Sequence, residues 1–406
     1  NGARVILKPT EFKQDEILLY AYSLGGTSQV ATDDLYSAEL ATAIVDNNGL
    51  GELSSIEIEK ALTGKTVELT TDIGHYEETL SGSSSVKDFE TLMQLVYLTF
   101  TGTHTDDKAY ATLHEQLHTM LVNKASNPKA VFSDSISKVL SDYSPRAVVL
   151  DVDGLQKIDQ QRALDIYRRR FNSPSDFTFF FAGNIRPDDK AVRQAVCTWI
   201  GSIKAAPAES YADDGMRIPT GHRQTQFKQN MSTHQASNFI LYSAPMDYTL
   251  ANRVALRVLD ECLSARYLES IREREGGSYG VGVMGNISDK PVPMAMLYMQ
   301  FDTDPEKEQK LLAIIHDELA KIAAEGPLAD DMNKAKENML KDYRQNMERN
   351  KYWNRTILYR YYVENTDYTR EYPDIVRAVS TEQVQQVAKT LLDADNIIEV
   401  IMEPEQ

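Results

Sequence analysis

The stretch RYLESIREREGGSYGVGV, residues 266–283, contains the junction between a predicted helix and a predicted strand. Residues 253–274 form an amphipathic pattern, because their apolar side chains recur at helical spacing. Gly276 and Gly277 then interrupt the helix, and residues 278–284 alternate as a strand does. The stretch therefore predicts a helix–glycine–strand corner. The apolar helical positions are Val254, Val258, Leu259, Cys262, Leu263, Tyr267 and Ile271.

Arg272 and Tyr279 lie seven positions apart on the two sides of this corner. Side chains at the end of a helix and at the start of a strand can converge across such a turn. Arginine offers a planar fork of donors and tyrosine a hydroxyl on a stiff ring, so the pair is a candidate to bind peptide carbonyls. The structural alternative is that Arg272 complements the helix dipole and Tyr279 is an ordinary strand residue.

An internal repeat organises the chain. Phe12-Lys13-Gln14 and the strand after it are echoed by Phe227-Lys228-Gln229 and another strand. Each copy continues with a long helix, alternating strand stretches, further helices and an apolar closing strand. This order predicts an α+β fold, with antiparallel-rich sheets and helices packed on one face of each. The paired ranges are 16–24 and 238–243, 33–47 and 249–274, 66–81 and 278–302, and 177–182 and 397–402.

Residues 205–221 separate the two copies and are rich in Pro, Ala, Asp and Gly, a composition typical of a linker. We therefore expect a first α+β domain at 1–204 and a second at 222–406, which carries the Arg-x6-Tyr element. Both lengths are usual for a domain. The chain begins at Asn1 and enters a strand without an initiator Met or a signal peptide, as expected of a piece of a longer polypeptide.

The composition excludes several classes of protein. Apolar residues make up 42% and charged residues 25% of the 406 residues, as in ordinary globular domains. The net charge of −17 argues against a nucleic-acid partner. No apolar run approaches the roughly 18 residues of a membrane span. Cys197 and Cys262 lie in separate apolar helical patterns, so we expect two buried thiols. The compartment stays open.

The chain resembles the second half of the pitrilysin/insulinase family of zinc peptidases, the inverted zincins, and processing-peptidase-like subunits. The likeness rests on the Arg-x6-Tyr corner and on the order of further stretches along nearly the whole chain. In that family two homologous halves form a clamshell, and only the first carries the HxxEH zinc motif. The second half lends an arginine and a tyrosine to the substrate, and Arg272 and Tyr279 stand at those places. The further stretches are NGARVILKPTEFKQDEILLYAYSLGG, VLSDYSPR, IDQQRALDIYRRRF, DFTFFFAGNI and NIIEVIMEP.

The helix that would carry HxxEH in the catalytic half is DDLYSAELATAIVDNNGLG, residues 33–51. Glu39 is its only glutamate, and it contains no histidine. Leu40, Ala43 and Ile44 occupy the region of the ligands, and such side chains cannot bind zinc. The resemblance thus implies a non-catalytic half with no metal of its own. Zinc would lie in a catalytic partner half, in the same polypeptide or in a separate subunit, and the shared ligand would be a peptide substrate.

A formal HExxH motif also occurs, formed by His114, Glu115 and His118. Two imidazoles four positions apart share one helix face and can bind one metal ion. Catalytic zinc requires a third protein ligand, and the next glutamate and histidine along the chain are Glu209 and His222. Both lie in or beyond the predicted linker. An aspartate such as Asp134 or Asp142 is a further possibility, but neither lies in a recognisable third-ligand context. We therefore interpret the motif as a chance match.

Three functions remain open on the sequence. The favoured one is the substrate-binding half of a pitrilysin/insulinase-like peptidase, inactive without its catalytic half. The second is a non-enzymatic scaffold or assembly subunit of the same fold. The third is an independent HExxH zinc metalloenzyme, which would hold stoichiometric zinc in the isolated chain.

Overall fold

The computed structural model describes residues 1–405 of the chain. Its strands form largely where apolar residues alternate or run continuously. The closing strands of the two repeats are mainly apolar, which is typical of strands covered on both faces. The strands are β1 Arg4–Pro9, β2 Ile17–Leu24, β3 Gly49–Leu50, β4 Leu53–Ser54, β5 Val67–Ile73, β6 Glu77–Ser84, β7 Thr178–Gly183, β8 His222–Gln229, β9 Ala236–Pro245, β10 Gly282–Ser288, β11 Met294–Thr303 and β12 Ile397–Pro404.

The helices carry one apolar face each and begin at polar capping residues in several places. Two π-helical segments occur, Leu268–Glu275 after α10 and Trp353–Ile357 between α13 and α14. The helices are α1 Leu35–Glu39, α2 Ala41–Asn48, α3 Ser55–Leu62, α4 Phe89–Thr101, α5 Asp107–Ala125, α6 Pro128–Leu140, α7 Val152–Leu155, α8 Gln160–Arg170, α9 Lys190–Trp199, α10 Leu250–Tyr267, α11 Glu308–Glu325, α12 Ala329–Asn346, α13 Asn350–Tyr352, α14 Leu358–Tyr362, α15 Tyr368–Ala378 and α16 Thr381–Asp393.

The first sheet has the strand order β1-β7-β2-β6-β5, in which β1 and β7 are parallel and the other pairs antiparallel. Alternate residues of β7 serve opposite faces of the sheet. Phe179 and Phe181 belong to the core beneath the helices. Phe180 faces the other way and stacks with Tyr20, whose neighbour ring is Tyr359. The sheet is therefore covered on both faces.

The segment Trp353–Ile357 is fixed to the outer face of this first sheet by a buried amide. Asn354 is 1% exposed and donates from Nδ2 to Phe180 O at 2.8 Å and to Leu18 O at 3.2 Å. These carbonyls belong to neighbouring strands, so one side chain bridges β2 and β7. The aromatic residues of this helical region therefore pack in part as core, with Tyr359 against Tyr22 at a centroid distance of 5.0 Å.

The second sheet repeats the plan of the first with the order β8-β12-β9-β11-β10. Its opening strand β8 is parallel to its closing strand β12, and the other pairs are antiparallel. One face packs on α10, α11 and α16, and the other packs on Phe132 and Val139 of α6. The internal repeat thus appears as two sheets of identical order.

The contacts divide the chain into two compact units, and both are discontinuous. Unit 1 comprises 1–123, 150–214 and 345–367, and unit 2 comprises 124–149, 215–344 and the chain from Tyr368 onward. The change from unit 1 to unit 2 after Asp214 falls inside the predicted linker 205–221. The predicted domains 1–204 and 222–406 are continuous, whereas the contacts assign 124–149 to unit 2 and 345–367 to unit 1.

Two further predictions from the sequence concern the cysteines and membrane-spanning helices. Cys262 is buried, but Cys197 is exposed on α9, so the prediction of two buried thiols is wrong for Cys197. Its helical pattern is amphipathic, and the cysteine lies on the face away from the core. Among residues 1–405, no helix is both long and apolar enough to cross a membrane.

Candidate functional site

The corner that holds Arg272 is built by a helix that changes its winding before it ends. Thr249 caps α10 by accepting a hydrogen bond from Asn252 N at 3.1 Å. The helix continues as the π-helical segment Leu268–Glu275 and stops at Gly276, whose φ of 55° lies in the left-handed region. The N–H groups of Gly276 and Gly277 both point to Ile271 O. π-Helical segments are rare, and those that occur inside α-helices are frequently found at functional sites.

After Gly276 the chain is held by a hydrogen bond to Gly277 O, and it then projects into solvent at Tyr279. Thr303 Oγ1 donates to Gly277 O at 2.7 Å. A Cβ on Gly277 would lie 2.8 Å from Leu311 Cδ1, so a side chain at this position would displace its neighbour. Ser278 then closes a small turn by donating to Gly280 O at 3.1 Å. The loop that presents Tyr279 is therefore fixed at its base by packing and hydrogen bonding.

Tyr279 lies before the strand and not in it. The ladder of β10 begins with the pair Gly282 and Gln300, so the predicted strand start at Ser278 is wrong. The reason is that alternation continues through the loop although no partner strand is opposite it. As a consequence, Tyr279 is 92% exposed, which is unusual for a tyrosine in a globular protein.

Arg272 and Tyr279 line the same cleft, which has a volume of about 740 Å³. Within residues 1–405, neither side chain has a hydrogen bond or an ion pair. By contrast, Arg266 and Arg274 of the same helix are both paired with Glu269. The structure thus leaves the predicted guanidinium and phenol free while it neutralises neighbouring arginines. The remaining lining residues are Gln235, Gly276, Gly277, Ser278, Gly280, Asp302, Thr303 and Asp304.

The cleft also contains residues that the sequence reasoning missed. Asp302 and Asp304 flank Thr303 at the end of β11, which runs beside the loop. Asp302 accepts a hydrogen bond from Ser237 Oγ at 2.6 Å. The signal that could have found them is the polar run DTD directly after an alternating strand, because polar residues at strand ends often line sites.

The residues of the formal HExxH motif lie on α5, with His118 and Glu115 exposed and His114 half-buried. The ring of His114 contacts Tyr110 at a centroid distance of 6.2 Å. Among residues 1–405, no group of three or more His, Cys, Asp or Glu side chains is placed to hold a metal ion. The donor set therefore does not fit a catalytic zinc, which needs three protein ligands.

The helix at the position of the HxxEH motif is broken into α1 and α2 at Leu40, where ψ is 7°. Ile44 and Val45 are fully buried in the core beneath the sheet. Glu39 is exposed at the end of α1. This region offers apolar packing where a catalytic half would present ligands, and so it does not fit zinc either.

Unit 2 also contains a cluster of two histidines and one glutamate, His222, His316 and Glu399, which are joined by hydrogen bonds. His316 Nε2 lies 2.8 Å from Glu399 Oε1, and its Nδ1 lies 2.5 Å from the Tyr242 hydroxyl. His222 Nε2 lies 3.3 Å from the second carboxylate oxygen. The hydrogen bond from His316 lowers the pKa of Glu399 in spite of its burial. The cluster therefore links β8, β9, β12 and α11 by hydrogen bonds.

We expect the isolated chain to retain no stoichiometric zinc, because neither α2 nor α5 supplies three ligands. Metal analysis after chelator treatment and zinc reloading measures this directly. His114→Ala serves as the paired variant and is expected to give the same metal content as the unmodified chain. One zinc per chain that disappears in His114→Ala would restore the HExxH motif as a metal site.

Comparison with known proteins places this geometry in context. Residues 157–339 match the family described as "Peptidase M16 inactive domain". The chain is 25% identical over 341 residues to the "Probable zinc protease PqqL" of Escherichia coli strain K12. The matched residues cover 84% of this chain and 36% of that protein. The solved structure of the periplasmic protease PqqL from Escherichia coli has a TM-score of 0.85 at 21% identity, covering 100% of this chain and 44% of that one. A solved M16 inactive domain from Pseudomonas fluorescens has a TM-score of 0.80 at 16% identity and covers 100% of this chain and 97% of that chain.

These matches confirm the predicted resemblance and the α+β fold. The chain spans about a third of the curated zinc protease and less than half of the solved PqqL structure. It thus aligns with part of a longer protease, and the family model that matches it describes an inactive domain. This agrees with the prediction of a non-catalytic half.

Proposed function

Because the chain carries the inactive domain of the M16 peptidases, we propose that it is the substrate-binding half of a two-half zinc peptidase. The observation that carries the proposal is the pair Arg272 and Tyr279, which share one cleft and have no partner among residues 1–405. Free donors in a cleft favour a ligand rich in acceptors. A peptide backbone is such a ligand, since each residue presents a carbonyl.

The two donors suit different parts of the reaction. Tyr279 carries a neutral hydroxyl on a short, rigid side chain, which is easily oriented toward an oxygen that gains charge in the transition state. Arg272 projects a fork of donors and can hold a neighbouring carbonyl of the bound peptide. Zinc, the activated water and the general base would come from the partner half, since the residues of this chain do not fit a metal.

Two features of the corner support a binding role over a purely structural one. An arginine that only complements a helix dipole needs no cleft, and a strand tyrosine would be at least half-buried. Backbone carbonyls are common to all peptides, so recognition by Arg272 and Tyr279 implies loose sequence specificity. The scaffold alternative predicts that removal of these groups leaves any activity of the complete protein unchanged.

Arg272→Gln in the full-length protein is expected to raise KM for a peptide several-fold and to lower kcat/KM by about tenfold or more. The reason is that a hydrogen bond to a charged donor contributes roughly 1.5–3 kcal/mol. Steady-state kinetics on a fluorogenic peptide measures the effect. Arg274→Gln is the matched control, because Arg274 lies two positions after Arg272 but forms an ion pair with Glu269. Equal kinetics in the two variants would contradict the role of Arg272.

A further inference from the structure

A second cleft opens in unit 1, among elements that carry neither Arg272 nor Tyr279. It has a volume of about 630 Å³, within the range of small-molecule sites, and lies between α2, α3 and the edge strand β5. Its walls are mainly aliphatic, so they favour a ligand with an apolar body. The principal wall residues are Val45, Leu50, Ile58, Leu62, Leu69 and Leu95.

The floor of this cleft is polar. The Tyr167 ring is 1% exposed, and its hydroxyl lies beside those of Thr71 and Thr99. Thr99 donates its own hydrogen to Leu95 O at 3.1 Å. The floor of the cleft is therefore a cluster of neutral hydroxyl groups.

Negative charge dominates the lining. Asp46, Glu59 and Glu68 all reach the cleft, and within residues 1–405 Asp46 has no ion pair. Lys65 is the cation in the lining, and its Nζ is held by Thr91 Oγ1 at 2.7 Å. The lining therefore contains three carboxylates and one ammonium group. A positively charged ligand group would be attracted, and an anion would be repelled.

We propose that this cleft binds an amphipathic cation, in which a short aliphatic chain ends in an ammonium group. The aliphatic chain would lie against the apolar walls, and the ammonium would meet the Asp46 carboxylate. Free alkylamines and the lysine side chains of peptides share this chemistry. The inference does not rest on the function proposed for Arg272 and Tyr279, because the cleft belongs to other elements.

Calorimetry of the chain with n-hexylamine, 1-hexanol and hexanoate at pH 8 tests the charge requirement. We expect hexylamine to bind at least about tenfold more tightly than hexanol, and hexanoate not to bind. Asp46→Asn keeps the side-chain shape and is expected to remove the preference for hexylamine while hexanol binding is unchanged. Asp33→Asn, an exposed position outside the cleft, is the control and should behave as the unmodified chain.

Lowering the pH gives a second readout. Burial raises the pKa of Asp46 to about 6, so hexylamine affinity should fall between pH 7.5 and 5 as this carboxylate is protonated. The other titratable groups that line the cleft are Glu59, Lys65, Glu68 and Tyr167. In Asp46→Asn, the fall across this range should be much smaller.

A capped Ala-Lys-Ala peptide and its norleucine analogue distinguish the two sources of the ligand. Preferential binding of the lysine peptide assigns the cleft to a peptide side chain, whereas binding of hexylamine alone assigns it to a free amine. Equal affinity for hexylamine and hexanol, wild-type hexylamine affinity in Asp46→Asn, or no hexylamine binding at millimolar concentration would overturn the proposal.

Discussion

Tyr279→Phe in the full-length protein is expected to lower turnover by roughly 10²–10³ and to leave the fold intact. Phenylalanine retains the ring and deletes only the hydroxyl, so the substitution isolates one hydrogen bond. If Tyr279 donates to the oxygen on which charge develops, its contribution is larger in the transition state than in the bound substrate. The loss should therefore appear mainly in kcat, with a smaller change in KM.

The exposure of Tyr279 makes this experiment easy to interpret. At 92% exposure the ring has little packing to lose, so the melting temperature should stay at its wild-type value. Tyr143→Phe is the matched control, because Tyr143 is also an exposed tyrosine, at 65%, and does not line the cleft. A kcat/KM for Tyr279→Phe equal to that of the control would end the catalytic role proposed for this hydroxyl.

The fold was largely predictable because the repeat fixes both the strand order and the buried faces. The predicted closing strand at 177–182 is confirmed as β7, in which Phe180 packs opposite to Phe179. The predicted strand start at Ser278 failed because a ladder needs a partner, and the alternation of side chains does not show where that partner begins. The register that starts at Gly282 depends on β11, which is a non-local contact.

The assignment of residues 124–149, which include α6, to unit 2 could not be predicted from periodicity. Phe132 and Val139 give α6 an ordinary apolar face, and nothing in that face specifies which of two similar sheets it covers. The site shows a similar limit. The residue types and spacing of Arg272 and Tyr279 pointed to a peptide-binding pair, but their lack of partners depends on where Glu269 lies in three dimensions.

Arg170→Met is expected to destabilise unit 1 by about 3–5 kcal/mol at pH 8, because it leaves a buried carboxylate unpaired. Glu78 on β6 and Arg170 at the end of α8 have side chains that are each 2% exposed. The Glu78 carboxylate accepts from Gly26 N at 2.8 Å and from Arg170 Nη1 at 3.3 Å. The other guanidinium nitrogen pairs with Glu209. A Cβ on Gly25 would lie 2.7 Å from both partners, so the pair is enclosed on this side by glycine.

The loss of stability in Arg170→Met is expected to grow as the pH rises. Burial raises the pKa of Glu78 from 4.5 to about 7, although Gly26 N–H and Arg170 oppose the shift. The folded state therefore binds the proton more tightly than the unfolded state does. The contribution of Glu78 to stability is fully present below pH 4.5 and is lost as the pH rises through 7. Without Arg170 the ionised form is less favourable still, so the variant should lose more stability over this range than wild type.

Urea unfolding followed by tryptophan fluorescence measures this effect in unit 1 alone, because both tryptophans, Trp199 and Trp353, belong to that unit. Glu78→Gln keeps an acceptor for Gly26 N–H and removes the titration, so its stability should vary less between pH 5 and 8 than that of wild type. Arg168→Met is the control on the same helix, where the exposed pair with Asp165 contributes at most about 1 kcal/mol. If Arg170→Met were no less stable than Arg168→Met at pH 8, the buried pair would not be what holds β6 and α8 together.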